Sequence, residues 1–171
     1  MVGSHPYAEQ YILNVSEDKV ISKIQNLKQE EVLLQVPADS TSFGGFSDET
    51  KGNVYYVYFL LEDRKTVLLC YVKSIDEFTT TLGLISVGDG PRFLNKRVIN
   101  ARSYFVLRDL DVKENKQVKK DLEEQVLDKL NIKWGKKING GIVSLVNGLP
   151  QTVHGSICSM AHNFFNREFD S

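Results

Sequence analysis

The residues best suited to chemistry in this chain are two histidines and a cysteine near its C-terminal end. His154, Cys158 and His162 follow one another at intervals of four residues, so in a helix all three would lie on one side. Imidazole and thiolate groups are ligands that zinc accepts. However, Gly155 disfavours a helix here, a fourth ligand is not evident, and the spacing matches no recognised zinc motif. A metal site at these residues is therefore the minor alternative to ordinary polar side chains.

A cysteine hydrolase is the second chemistry that this segment suggests. Cys158 has His154 and His162 within a helical turn, but neighbours on one helix rarely point at each other as nucleophile and base. The chain also lacks Gly-x-Ser-x-Gly and a Walker phosphate loop, and Gly88-Asp89-Gly90 lacks the third glycine of a dinucleotide motif. We therefore assign no catalytic residue and no cofactor, and keep a small metal- or cysteine-dependent hydrolase as the alternative function.

A long loop is predicted for residues 37–53, which are rich in Ser, Thr, Asp and Gly. Loops of this length in compact domains usually bind something or move. Phe43 and Phe46 flank two glycines in this loop and are candidate binding residues, with anchoring under the loop as the alternative. Three carboxylates outside the predicted helices are candidates for a shared cleft: Asp48, Glu49 and Asp89.

Charge and composition exclude several classes of protein. The chain has 171 residues with 21 Lys plus Arg, 22 Asp plus Glu and a net charge of -1, so it lacks the excess of positive charge that nucleic-acid binders usually carry. A hydrophobic content of 42% is too high for a disordered chain, and no apolar run approaches the length of a membrane span. We expect one globular domain with neither a nucleic-acid partner nor a membrane span.

A small basic and aromatic patch is predicted where Lys133, Lys136 and Lys137 surround Trp134. Such a patch is a candidate for contact with a phosphate group or an acidic partner, with an ordinary exposed loop as the alternative. Trp134 is therefore kept as a candidate binding residue.

The sequence predicts two amphipathic helices, which would help to position any functional site. Ser16 followed by two acidic residues predicts a helix over residues 17–30. Capping residues within 111–115 precede a second helix that should end near Asn131. Its apolar residues recur every fourth position: Val118, Leu122, Val126 and Leu130.

The remaining apolar segments predict strands. Four runs rich in β-branched and aromatic residues are residues 54–61, 66–73, 78–87 and 97–110. Residues 11–15 predict a short extended segment, and residues 157–165 predict either a helix or a strand. Short connections favour antiparallel neighbours. The expected fold is α+β, with an antiparallel sheet of about four or five strands and both helices packed on one face.

Alternation along the first long strand places its tyrosines on two faces. Tyr56 and Tyr58 share one face, while Tyr55, Val57 and Phe59 share the other. If one face is covered by the helices, the other presents tyrosines, which are enriched at protein interfaces. The alternative is a tyrosine layer that only completes a solvated sheet. Our leading hypothesis is a non-enzymatic protein-binding module in which Tyr56 and Tyr58 contact a protein partner.

The N-terminus leaves the compartment open. The chain begins Met1-Val2-Gly3-Ser4-His5 without the apolar core of a signal peptide, so as given it would stay in the cytoplasm. Gly-Ser-His beside the initiator is typical of a cloning remnant, in which case a natural leader could have been removed. We expect residues 1–10 to be a flexible N-terminus and residues 11–171 to form one domain.

The order of several segments carries a resemblance. These segments are the capped helix start at residues 15–21, the aromatic strand at 55–59, the threonine-rich strand at 79–87 with its Gly-Asp-Gly turn, and residues 113–116. Over about residues 11–130 this order resembles a group of small uncharacterised Bacteroidetes proteins, many of them lipid-anchored at the cell envelope. The resemblance implies export and a lipid anchor and assigns no activity to any residue. An immunity-type or envelope-associated binding protein would fit it.

Overall fold

The computed structural model describes residues 5, 7–31, 34–36, 48–62, 65–90, 92–100, 110–138 and 141–146. Within this part the fold is α+β, as predicted, with two α-helices and eight strands. The elements in chain order are β1 (Glu9–Leu13), α1 (Glu17–Glu30), β2 (Glu49–Lys51), β3 (Val54–Leu60), β4 (Thr66–Ser74), β5 (Thr80–Asp89), β6 (Leu94–Val98), α2 (Val112–Leu122), a π-helical turn (Glu123–Leu127), β7 (Trp134–Ile138) and β8 (Gly141–Val146).

All eight strands form one antiparallel sheet in the order β2-β3-β4-β5-β1-β7-β8, with β6 also paired to β5. β1 pairs with the first half of β5, from Leu13↔Thr80 to Glu9↔Leu84. β6 pairs with the far end of β5 through Ser86↔Val98. The sheet therefore has more strands than the four or five predicted, because short segments become strands once long neighbours offer them pairing partners.

Several predicted boundaries are corrected. The expected loop over residues 37–53 contains β2, which a turn at Gly52 (φ 64°) joins to β3 as a hairpin. Of the strand expected at residues 97–110, residues 97 and 98 belong to β6 and residues 99 and 100 form a turn, while residues 101–109 lie outside the described part. β1 begins at Glu9, inside the segment expected to be flexible.

Both helices pack against the same face of the sheet. α1 buries Val20, Ile24 and Leu27, and its observed range matches the predicted one. These side chains belong to one apolar cluster with Val118 and Leu122 of α2 and with the sheet residues that point the same way, such as Val57, Phe59 and Cys70. This layer is the main core, and at roughly 1.5–3 kcal/mol for each large apolar side chain buried it dominates the stability.

The two helix starts differ in how they are capped. Ser16 precedes α1 but its side chain makes no capping hydrogen bond. Asp111 precedes α2 and forms a complete capping box with Glu114, in which each side chain accepts from the other residue's backbone N–H. α2 continues through the π-helical turn, and Asn131 at φ 50° follows it, which agrees with the predicted end of this helix.

A second, smaller apolar cluster covers the opposite face of the sheet. Its buried members are Val54, Leu60, Val67, Leu69, Tyr71, Ile85 and Phe93. Tyr56 and Tyr58 pack against this cluster and remain partly exposed, while Tyr55 points to the helices. The predicted division of the tyrosines between the two faces is therefore the one that the strand adopts.

Candidate functional site

An open groove of about 430 Å³ lies on the face of the sheet opposite the helices. Tyr56 and Tyr58 of β3, Leu69 of β4 and Ile85 of β5 form its floor, and Val98 of β6 forms part of one wall. Tyr58 and Leu69 are directly paired across β3 and β4, so their side chains stand side by side on this face. We refer to this site as the tyrosine groove.

Two glycines of β5 make room for the aromatic layer that supports the groove. A side chain at Gly83 would overlap the ring of Tyr71, and one at Gly88 would overlap the ring of Phe93. The Phe93 ring meets the Tyr58 ring edge to face, with centroids 5.7 Å apart and an interplanar angle of 86°. Such pairs prefer this geometry and hold each other in place. The tyrosine floor is therefore supported by fixed aromatic neighbours.

His5 sits on the same face, between Tyr56 and Tyr71. Its Nε2 atom lies 3.1 Å from the Tyr56 hydroxyl oxygen. Its ring stacks on Tyr71 with centroids 5.6 Å apart and an interplanar angle of 28°, and meets Tyr56 edge to face at 5.9 Å. Burial, with a smaller contribution from Lys96, lowers the pKa of His5, so its imidazole is neutral at physiological pH.

The rim of the groove carries an unbalanced positive charge. Glu49 and Lys51 of β2 pair with each other at 2.6 Å, so their charges cancel locally. Lys96 of β6 is exposed and has no ion-pair partner in the described part of the chain. A carboxylate on a bound partner would find its complement at Lys96.

Asp48, just before β2, is hydrogen-bonded to both α1 and β3. Its carboxylate accepts from Lys28 Nζ of α1 at 2.8 and 2.7 Å, from the Tyr58 backbone N–H at 3.1 Å and from the Tyr55 hydroxyl at 3.3 Å. Burial lowers the pKa of Lys28, and the neighbouring Asp48 offsets part of that effect. A second cavity of about 290 Å³ lies beside this pair. It falls just below the usual size range of ligand sites, so we assign Asp48 and Lys28 a structural role.

The three candidate carboxylates do not share a cleft. Asp48 lines the second cavity and Glu49 lines the tyrosine groove, on opposite sides of the β2 start. Asp89 bonds to Asn95 at 3.0 Å and Arg97 at 3.4 Å near the other end of β5. No acid/base pair forms among these three side chains, and each is bound to a neighbour of another kind.

The expected basic and aromatic patch at Trp134 is wrong, because this residue starts strand β7 and points into the core. Trp134 is only 4% exposed, its ring meets Tyr11 edge to face at 5.6 Å, and its Nε1–H donates to Asp128 at 3.3 Å. Lys136 pairs with Glu123 at 2.6 Å. Trp134 is therefore a core residue and offers no surface to a partner.

The other predicted site residues divide into two groups. Tyr56 and Tyr58 lie together in the groove. Those that fall outside the described residues are Phe43, Phe46, His154, Cys158 and His162. Cys70 is fully buried, as expected of a small apolar residue, and burial raises the pKa of its thiol, which makes it unreactive.

Neither metal-binding nor membrane-spanning features occur in the described part of the chain. Among these residues, no three His, Cys, Asp or Glu side chains are placed to hold a metal ion. Neither described helix has the length and apolar character needed to cross a bilayer.

Comparison of the chain with protein-family models, with curated proteins and with solved structures finds no match. Any function must therefore be inferred from the groove itself. Sequence reasoning missed Leu69, Ile85 and Lys96, which reach the groove only through strand register. The available signal is the pair Gly83 and Gly88 inside an otherwise strand-like run, since a glycine within a strand often marks a place where another group approaches the backbone closely.

Proposed function

We propose that this protein is a non-enzymatic binding module whose tyrosine groove accepts a segment of a partner protein. One observation carries the proposal: the sheet face opposite the helices holds a groove of about 430 Å³ with partly exposed Tyr56 and Tyr58 on its floor. Tyrosine offers a large contact area at low entropic cost, which is why it is common in protein-binding surfaces.

The shape of the groove favours a polypeptide over a small molecule. Small-molecule sites usually enclose most of the ligand surface, whereas this groove is open to solvent along the sheet. Leu69 and Ile85 supply an apolar floor, and the exposed Lys96 supplies a positive charge at the rim. The expected occupant is a segment with apolar or aromatic side chains and a carboxylate that pairs with Lys96. We propose as the partner a toxin held by an immunity-type protein, or an envelope component, that carries such a segment.

Selection of short displayed peptides against the full chain tests this proposal. We expect enriched peptides to combine aromatic or aliphatic residues with Asp or Glu. Tyr58→Ala should weaken their binding at least tenfold, because central tyrosines often cost more than 1 kcal/mol when truncated. Lys96→Glu should weaken it further by reversing the rim charge and should reduce its salt dependence.

Lys113→Glu is the matched control, because Lys113 is an exposed lysine of α2 and does not line the groove. It should leave peptide binding unchanged. Failure to enrich any peptide, or enrichment of peptides that bind Tyr58→Ala and Lys96→Glu as well as the unaltered protein, would contradict the proposal. Preference for a compact small molecule at the same residues would replace it.

A further inference from the structure

The turn that joins β4 to β5 exposes two large apolar side chains. We refer to residues 75–79 as the hairpin tip. Phe78 is 72% exposed and Ile75 is 55% exposed. Single exposed apolar side chains are common on protein surfaces and need no explanation. Here two of them flank the exposed Asp76 and Glu77, so the hairpin tip presents apolar and acidic groups together.

Hydrogen bonds fix the shape of the hairpin tip. The backbone N–H of Asp76 donates to the Thr79 carbonyl at 3.2 Å, and the Asp76 carboxylate accepts from the Phe78 backbone N–H at 2.9 Å. At the base of the tip, Glu17 of α1 accepts from the Ser74 backbone N–H at 2.7 Å. Because the tip is already ordered, it loses little conformational entropy when it binds, and preorganisation of this kind favours affinity.

The hairpin tip carries the chemistry proposed for the occupant of the tyrosine groove. Phe78 can pack on the aromatic and aliphatic floor, and the groove volume of about 430 Å³ is large enough for such a side chain. A carboxylate for Lys96 comes from Glu77, which has no ion-pair partner in the described part of the chain. The Asp76 carboxylate is already engaged within the tip.

The hairpin tip of one molecule cannot reach its own groove. Leu69 in the groove floor lies five residues before Ser74, which corresponds to about 17 Å along an extended strand. Over this distance β4 and β5 stay paired, from Cys70↔Leu84 to Ser74↔Thr80, so the hairpin does not fold back on itself. A tip that enters the groove must therefore come from another molecule.

We propose that the tyrosine groove of one molecule binds the hairpin tip of a second copy of this chain while no other partner occupies the groove. This inference rests on the proposed binding function, and it means that a partner segment must displace the tip. Tip and groove are different surfaces, so a dimer keeps one unoccupied tip and one unoccupied groove and can add further copies. Since only a few side chains take part, the association is weak and reversible.

Sedimentation velocity of the full chain at protein concentrations up to about 1 mM tests the self-association. We expect the average sedimentation coefficient to rise with concentration. Phe78→Asp and Tyr58→Ala should each weaken the association at least tenfold, because one changes the tip and the other the groove floor. Val112→Asp is the matched control, since Val112 is 88% exposed on α2, outside both surfaces, and its loss should leave the association unchanged.

An equal mixture of Phe78→Asp and Tyr58→Ala tests whether the tip binds the groove. The first variant keeps an intact groove and the second keeps an intact tip. The mixture should form a 1:1 dimer and nothing larger, because this dimer has no second intact pair of surfaces. If the contact were instead between two tips, Tyr58→Ala alone would associate like the unaltered protein, and the inference would be refuted.

Reversal of the two charges tests the ion pair. Lys96→Glu and Glu77→Lys should each weaken the association severalfold, and the variant with both substitutions should recover most of the loss, because the pair is restored with opposite signs. Both side chains are exposed, so neither substitution should disturb the fold. This comparison therefore tests the groove even if Tyr58→Ala is unstable.

A sedimentation coefficient that stays constant up to about 1 mM would overturn the inference, and so would an association that is indifferent to Phe78→Asp or to Lys96→Glu. The two proposals fail in different ways. Displayed peptides that require Tyr58 and Lys96, on a protein that stays monomeric, would refute self-association and leave the binding function standing. Association that depends on tip and groove, without any enriched peptide, would support self-association and refute a separate protein partner.

Discussion

A methyl group at Gly83 should displace the Tyr71 ring and destabilise the protein. Tyr71 lies directly opposite Gly83 in the pairing of β4 with β5. A Cβ atom at Gly83 would overlap the ring, with Tyr71 Cδ1 among its neighbours at 2.8 Å, whereas carbon atoms in favourable contact are about 3.5–4.0 Å apart. The stacked His5 ring limits how far the Tyr71 ring can retreat.

Two opposing terms set the size of the effect. Forcing an extra carbon into a filled site costs about 1–3 kcal/mol. Alanine is otherwise better than glycine inside a strand by roughly 0.5–1 kcal/mol. Gly83→Ala should therefore lower the free energy of unfolding by about 1–2 kcal/mol. In a Tyr71→Ala background the overlap is absent, so the same substitution should raise the free energy of unfolding by roughly 0.5–1 kcal/mol.

Urea unfolding of the four proteins measures this double-mutant cycle, with fluorescence of the buried Trp134 as the signal. Gly90→Ala is a useful control, because Gly90 has φ 64° and open space around its Cα, so its cost should be the same with and without Tyr71. If Gly83→Ala is neutral or stabilising in the unaltered protein, or costs the same after Tyr71→Ala, the Tyr71 ring does not occupy this space.

Three further predictions concern the helix caps, alkaline pH and the C-terminal cysteine. Asp111→Ala should cost about 1 kcal/mol in urea unfolding, and Ser16→Ala less than half of that, because only Asp111 makes a capping hydrogen bond with its side chain. Burial, with a smaller contribution from Asp48, raises the pKa of Tyr55 from 10.0 to about 12, so the folded state keeps a proton that the unfolded chain releases. The contribution of Tyr55 to the free energy of unfolding is therefore complete below pH 10 and is lost as the pH rises to about 12. In Tyr55→Phe, the free energy of unfolding measured in urea should fall less steeply over this pH range than in the unaltered protein. Elemental analysis of the purified protein should find no stoichiometric metal, and Cys158→Ala should leave peptide binding unchanged; zinc that is present and disappears with Cys158→Ala would instead favour the alternative hydrolase.

The helices could be predicted closely because their signals are local. Ser16 and the acidic residues after it mark the start of α1, and the predicted range is the observed Glu17–Glu30. The start of α2 at Asp111 combines a capping side chain with a four-residue apolar repeat. In both cases the residues that decide the boundary lie within one or two turns of it, so a single sequence contains the information.

The strands were predicted only where they carry their own pattern. β3 and β4 are long, β-branched and aromatic, and their short connection made the hairpin evident. β7 has no such pattern, since its sequence is Trp-Gly-Lys-Lys-Ile. It becomes a strand because β1 pairs with it through Leu13↔Trp134 and Tyr11↔Lys136, a contact between segments more than a hundred residues apart. The central place of β1 is likewise set by tertiary pairing and could not be read from its five residues.

The floor of the groove depends on one extra residue that alternation does not predict. If the pairing of β4 with β5 continued without interruption beyond Cys70↔Leu84, Ile85 would lie opposite Leu69. Ser86 and Val87 would then lie opposite Leu68 and Val67. The register shift between Leu69 and Cys70 instead leaves Ile85 unpaired. A shift of one residue moves every later side chain to the other face.

This register shift, a β-bulge, therefore exchanges the faces of the sheet on which Ser86 and Val87 lie. Ser86 pairs with Leu69 and stands on the groove face, while Val87 pairs with Leu68 and is buried in the main core with the helices. Without the shift, Val87 would be lost from the main core, at a cost of roughly 1.5–3 kcal/mol. The same shift leaves Ile85 beside Leu69 in the groove. A single β-bulge therefore places Ile85 in the apolar floor of the groove and Val87 in the main core. This explains why Tyr56 and Tyr58 could be placed from the sequence while the side of the groove contributed by β5 could not.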